Sequence, residues 1–443
     1  MREIKKVTIV GANGTMGRNV AAIFASFGNA DVYLVSRSIE KSRKAKEKAY
    51  QSVRAESVKE KMIPADYSQL KDCIIESDLI FEACAEDFEI KKSVHHMIAD
   101  SLEQLSKEQS HEKIVCSGTS GLSVTELAKI YEKTFRSHVL GMHFFNPPYQ
   151  MVLCELVATS FVDQTLLQEI HRYTEERLLR TTVEVKDQPA FLGNRIGFQF
   201  INEMMQLAEM YKYNGGIDYI DAIFGAFTGR AMAPLVTANF VGLDVHQAIA
   251  DNLYENTSDF AHESFMLPKY VKVLVQEGKL GRKAGAGLYK TIVHDSGVKI
   301  HQVYDIDNGH YREIMKYVLP FAEQMVSCFQ TGDYDAGFKV LKNNHSVEAE
   351  LCLKELLRYI LYALYTAEEV GYDVHAADDV MASGFNWCPP MALIEALGGE
   401  EEVRRLCCER LGNDWLSFEI QKKLIDKVEK SKYDYRRFFK AKH

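Results

Sequence analysis

Lys6-Val-Thr-Ile-Val-Gly11-Ala-Asn-Gly14-Thr-Met-Gly17 is the stretch that decides the fold. An apolar, β-branched run, Val7–Val10, leads into glycines spaced G-x-x-G-x-x-G, and a helix-like segment, Met16–Phe27, follows at once. A strand, a glycine loop and a helix in that order form the context a dinucleotide fingerprint requires. One glycine allows the tight turn, another lets the backbone approach a pyrophosphate, and the third permits close helix–strand packing. The helix N-terminus favours the negative phosphates. The spacing is one residue longer than the usual form, and Asn13 tolerates the left-handed backbone such an insertion can need. Gly11, Asn13, Gly14, Thr15, Met16 and Gly17 are therefore the expected pyrophosphate contacts.

Outward from this loop, strands and helices alternate. Val32–Val35, Asp78–Cys84, Lys113–Cys116, Val139–Phe145 and Thr181–Lys186 are short apolar runs, and amphipathic segments such as Glu89–Leu102 separate most of them. The alternation predicts a parallel sheet with helices on both faces. After Thr181–Lys186, the last strand expected, the chain reads as helical. Pro189 is placed near a helix start, and Phe191–Met210 is apolar nearly all round, as in a helix buried between domains or subunits. A weak repeat joins Glu203–Asp244 to Ala363–Gly399: each holds Ala-Glu, then an acid (Asp221; Asp378-Asp379), then Ala233-Pro234 or Pro389-Pro390, then a Gly-Leu or Leu-Gly pair. The expected domains are a nucleotide-binding domain over 1–187, a helical domain over 188–290 and its repeat over 291–443, with a less ordered connector near His294–His310.

Bulk composition narrows the function classes. With 53 basic against 62 acidic residues the net charge is −9 in a chain of 443. That excludes a general affinity for nucleic acid or an anionic membrane, since both need a basic footprint. No stretch approaches the roughly eighteen apolar residues of a membrane span, and the start lacks the pattern of a signal peptide. The nine cysteines are scattered without a C-x-x-C pair. They read as reduced core residues of a cytoplasmic protein, not as a disulfide frame or a metal site.

The catalytic pattern lies further along. His143-Phe-Phe-Asn-Pro147 ends a strand, and Glu155 follows twelve residues later. Oxidising an alcohol by hydride transfer needs a base for the hydroxyl proton, and an imidazole suits that work near neutral pH. A carboxylate on its other ring nitrogen fixes the tautomer and stabilises the imidazolium. At the end of the second strand the acid expected for an NAD ribose is missing. Ser36-Arg37 stands there instead, and Arg37 could accommodate a 2′-phosphate, which favours NADP.

These features together resemble the L-3-hydroxyacyl-CoA dehydrogenase family. The matching stretches are Gly11–Gly17, Cys116–Leu122, Gly141–Pro147 with Leu153–Val157, Lys186–Arg195 and Gly281–Tyr289, in family order. The His-Phe-Phe-Asn-Pro and Lys-Asp-x-Pro-x-Phe motifs are specific, whereas the glycine loop alone is not. The resemblance covers about residues 5–290 and, more faintly, the remainder. It implies a Rossmann-type doubly wound N-terminal domain followed by helical domains, with a duplicated 6-phosphogluconate-dehydrogenase-like unit. It further implies an oxidoreductase of fatty acid metabolism, of the β-oxidation type, with NAD as cofactor and an acyl-CoA as substrate. His143 looks like the family's base, Glu155 its partner, Ser120 the serine that hydrogen-bonds the reacting oxygen, and Asn194 the asparagine that helps hold base and substrate. Glu86 and Lys91 match residues that contact the cofactor ribose.

Two departures, Gly118 in place of an asparagine and the missing second-strand acid, lie on the cofactor side. The alternatives are a dehydrogenase of a free hydroxy acid and a non-catalytic nucleotide-binding protein on the same fold. Residues 291–443 are expected either to replace the partner of a homodimer or to enlarge it.

Overall fold

The N-terminal unit is built on an eight-stranded sheet. A computed structural model describes residues 3–293, 297 and 299–439. The strands are β1 (Lys6–Val10), β2 (Asp31–Ser36), β3 (Met62–Asp66), β4 (Leu79–Glu82), β5 (Ile114–Ser117), β6 (Val139–Phe144), β7 (Leu153–Ala158) and β8 (Thr181–Lys186). Their order is β3-β2-β1-β4-β5-β6-β7-β8. Every neighbouring pair is parallel except β6 and β7. This is the doubly wound arrangement, in which the order reverses between β1 and β4 and a ligand crevice opens at the strand C-termini.

Alternate residues of each strand feed two cores. Ile9, Leu34, Phe81 and Cys116 face one side with Phe24, and Val10, Val35, Ile80 and Val115 face the other with Val94 and Ile98. Helices α1 (Thr15–Ser26), α2 (Ile39–Val53) and α3 (Phe88–Leu102) supply the matching apolar stripes. Strands buried on both faces explain why the sequence shows continuous apolar runs instead of alternation.

Two strands of this sheet were not expected. β3 contains Pro64 and sits at the sheet edge, the one place where a proline costs no ladder hydrogen bond. β7 carries the buried Glu155 in its centre and runs against β6.

The chain divides after Phe191, with Val370–Tyr372 grouped with the first unit. The second unit opens with α4 (Gly193–Met210), not at Pro189. Ala190 and Phe191 take positive φ values of 58° and 54°, so a turn separates the proline from the helix. The second unit is also not purely helical. Strands β9 (Tyr289–Val293), β10 (Lys299–Asp305) and β11 (His310–Glu313) form an antiparallel sheet. β10 and the first residue of β11 fall within the segment His294–His310 expected to be a less ordered connector, of which residues 294–296 and 298 lie outside the described residues.

The two stretches read as a repeat share local features within this unit. In the first copy, α5 (Ile217–Ile223) precedes α6 (Pro234–Val241), and Asp221 accepts from the Leu235 and Val236 amides at 2.8 and 3.0 Å. In the second, a long helix, α7 (Val347–Val370), and then α8 (Ala376–Val380) precede α9 (Pro390–Leu397), where Asp378 accepts from the Met391 amide at 2.9 Å. Both α6 and α9 start on a proline and end on a glycine of positive φ, Gly242 and Gly398. The loops before them pair with each other through an Arg230–Trp387 bridge, and the Cys388 amide donates to the Gly229 carbonyl at 2.7 Å. Among the described residues no helix is long and apolar enough to cross a membrane.

Candidate active site

The glycine loop closes tightly over the switch point. A Cβ on Gly11, whose φ is +89°, would lie 2.7 Å from the Ala83 carbonyl oxygen at the end of β4. A Cβ on Gly17 would lie 2.6 Å from the Gly11 oxygen. Neither obstacle is a side chain that can turn away. At the start of α1, Gly14 supplies no side-chain cap and the first turn holds no acid. The amides that open the helix are thus left to an outside anion, which is what a bound pyrophosphate requires. The cradle therefore fits a dinucleotide. Gly17→Ala should cost about 1–3 kcal/mol of stability, as overpacked cores do, and should weaken NADH binding. Chemical denaturation and a fluorescence titration read the two effects.

At the adenosine end, Ser36 closes β2 with its hydroxyl buried and without a partner among the described residues. Arg37 is exposed beside it. An acid does stand nearby: Asp66 at the end of β3 is the register partner of Ser36. Its carboxyl sits below the usual range because the Ser68 hydroxyl and amide donate to it. Burial pushes the Cys84 thiol, two residues past β4, up to about 12.

His143 and Glu155 face each other across the antiparallel β6–β7 pair as direct register partners. His143 Nδ1 lies 2.8 Å from a Glu155 carboxylate oxygen. The carboxylate is fully buried and the imidazole nearly so. Phe145 and Phe191 flank the ring, with centroids 4.5 and 5.7 Å away. Because a carboxylate only accepts, Nδ1 is the donor of this contact, and in the neutral ring that leaves the lone pair on Nε2. β6 ends beside β5 at the C-terminal edge of the parallel strands, so His143 stands at the same edge as the glycine loop.

Ser120 lies three residues beyond β5, half-buried, and its amide donates to Glu86 at 2.7 Å. Thr119 donates its hydroxyl to the same Glu86 oxygen at 2.6 Å. The helix that follows, Val124–Ala128, is held at its start by Asp187, which accepts from the Ser123 hydroxyl and the Val124 and Thr125 amides. Asp187 thus anchors the serine loop from within the first unit. Asn194 belongs to the second unit, buried in the first turn of α4. The Lys91 side chain is completely buried. Its Nζ lies 3.0 and 3.1 Å from the two oxygens of Glu82 and 3.4 Å from Glu86.

Glu82 was missed in the sequence. The signal was present, because a lone acid in the apolar run Leu79-Ile-Phe-Glu82 must find partners when buried. Besides Lys91 it accepts from the Cys84 amide at 2.6 Å and the Ser117 hydroxyl at 2.8 Å. His95 Nε2 lies 3.6 Å away, with its Nδ1 on the Tyr131 hydroxyl at 2.7 Å. Burial alone would raise the Glu82 carboxyl, but His95 and the Lys91 charge outweigh it and hold the group at about 2.

Two family models match the chain. Residues 6–188 match the 3-hydroxyacyl-CoA dehydrogenase NAD binding domain, and residues 191–291 match the 3-hydroxyacyl-CoA dehydrogenase C-terminal domain. A probable 3-hydroxyacyl-CoA dehydrogenase of Bacillus subtilis is 28% identical over 98% of this chain, which spans only 55% of that protein. A 3-hydroxybutyryl-CoA dehydrogenase of Clostridioides difficile is 30% identical over 64% of this chain and 98% of its own length. In fold, the 3-hydroxybutyryl-CoA dehydrogenase structure from Escherichia coli aligns with a TM-score of 0.68 at 19% identity, covering 96% of this chain and 99% of that one.

Proposed function

Since this chain belongs to the 3-hydroxyacyl-CoA dehydrogenase family and carries its NAD-binding domain, we propose that it interconverts 3-hydroxyacyl-CoA and 3-ketoacyl-CoA with His143 as the base. The observation that carries the reading is the buried His143–Glu155 pair at the strand C-termini, 2.8 Å from nitrogen to oxygen.

NAD, when bound on Gly11–Gly17, supplies the hydride acceptor at the substrate's C3. His143 takes the 3-hydroxyl proton on Nε2 as C3 is oxidised. Glu155 holds the tautomer and balances the imidazolium that forms. Ser120 offers a hydroxyl to the reacting oxygen. In reduction His143 returns the proton to the alkoxide. The two phenylalanines keep water from the ring, so the base stays unhydrated.

We also read the protein as cytoplasmic, in keeping with nine free cysteines. Its assembly is either a homodimer or a monomer in which the second helical repeat takes the partner's place.

The test is NADH oxidation with acetoacetyl-CoA and, separately, with free acetoacetate. Turnover of the thioester well above that of the free acid is expected. Faster turnover of the free acid would replace the substrate class, and turnover of neither would overturn the reading.

A further inference from the structure

Ser36 and Arg37 take no part in the reaction proposed above, yet they stand directly beside the glycine loop. The Gly11 and Ala12 amides both donate to the Val35 carbonyl, at 3.0 and 3.1 Å. Ser36 shares the sheet face of Leu34, the face on which α1 packs. Its hydroxyl therefore stands on the side where the glycine loop opens α1. That hydroxyl is buried and has no partner among the described residues, a state that costs free energy until an acceptor arrives. Arg37 and Ser38 alone separate β2 from α2, and Ser38 caps the helix by accepting from the Lys41 amide at 3.4 Å. The Ser42 hydroxyl pins the start of α2 to the Ala65 carbonyl at 2.7 Å. The backbone of Arg37 is thus held from both sides. Its side chain is exposed and forms no ion pair or hydrogen bond among the described residues.

We propose that Ser36 and Arg37 form a subsite for the 2′-phosphate of NADP, so that the cradle takes NADP(H) as well as NAD(H). The inference rests on the reading of Gly11–Gly17 as a dinucleotide loop. An NAD-specific site places a carboxylate at the end of the second strand to accept from the ribose hydroxyl, and a carboxylate there repels a phosphate. Here that position offers a hydroxyl donor and then a guanidinium, whose planar fork matches phosphate oxygens. The surrounding charges leave the position open to an anion. Glu40, in the first turn of α2, is offset by Lys44 at 2.6 Å, and Lys41 and Arg43 are exposed on the same helix. Asp66, at the end of the adjacent β3, commits one oxygen to the Ser68 amide and hydroxyl, at 3.0 and 2.6 Å, and also faces the Ile39 amide. Its carboxylate is engaged by the turns around it.

The experiment measures binding of NADPH and NADH by fluorescence titration to wild type, Arg37→Gln and Arg37→Lys. It also measures displacement of NADPH by adenosine 2′,5′-bisphosphate and by 5′-AMP, which differ only in the 2′-phosphate. Wild type should bind NADPH at least as tightly as NADH. The bisphosphate should displace NADPH at a concentration about tenfold or more below that of AMP. Arg37→Gln should lower the ratio of NADPH to NADH affinity by about 10- to 100-fold, the worth of hydrogen bonds to a charged group. Arg37→Lys should restore part of that ratio, since the charge returns without the fork. Tighter binding of NADH than of NADPH by wild type would give the ribose to Asp66 and overturn the proposal. So would equal displacement by the two adenosine phosphates, or a ratio untouched by Arg37→Gln. If neither dinucleotide bound, the cradle and this subsite would fall together. Binding of both with no turnover of acetoacetyl-CoA would remove the proposed reaction and leave the subsite standing.

Discussion

Replacing His143 by Gln should lower turnover of a 3-hydroxyacyl-CoA by about 100- to 10,000-fold, the usual worth of a positioned general base, while NADH still binds. Glutamine nearly matches the imidazole in reach and can donate to Glu155, so the carboxylate keeps a partner. What disappears is a basic nitrogen facing the cleft. The glycine cradle lies on β1 and α1, outside the β6–β7 ladder, so its affinity should stay within a few-fold of wild type. Steady-state kinetics with acetoacetyl-CoA and an NADH titration on the same preparation check both halves. Parental kcat in this variant would remove His143 from the mechanism.

Glu155→Gln should be almost as severe, at about 100- to 10,000-fold in kcat, for a different reason. The amide can turn its NH2 toward His143 Nδ1, and a ring nitrogen that accepts there must carry its proton on Nε2. The base then faces the substrate in the wrong tautomer. The same exchange in a serine protease triad costs about 10,000-fold with geometry intact. Glutamine also leaves the imidazolium unbalanced in a layer where Glu155 is fully buried. Since both residues serve one proton transfer, their losses should not add. The double variant His143→Gln/Glu155→Gln is expected within about tenfold of the worse single one. Near-complete additivity would show that Glu155 acts on something other than His143.

The NAD-binding loop and the site's individual residues differ in how they could be read. Gly11–Gly17 is a local feature, since its meaning depends only on the strand before it and the helix after it. Glu155 is not. The sequence offers His143 and an acid twelve residues on, but that spacing alone allows any separation from contact to about 40 Å. Only the return of the chain as β7 makes them register partners. Lys91 is a second such case: no local pattern tells that its ammonium lies between Glu82 and Glu86. The edge strand β3 escaped notice because Pro64 argues against a strand unless the strand is known to lie at an edge. β9–β11 escaped because short strands that pair only with one another carry little apolar signal.

By itself, then, the order of residues determined the doubly wound first domain, the dinucleotide loop, the mostly helical second part and the residue types needed for alcohol oxidation. All of these rest on periodicity and on backbone demands felt within a few residues. The tertiary structure alone decided which acid faces His143, what Lys91 touches and where the second, antiparallel sheet forms. Pairing partners and burial are set by chain segments far apart in sequence, and no local pattern specifies which of them will meet.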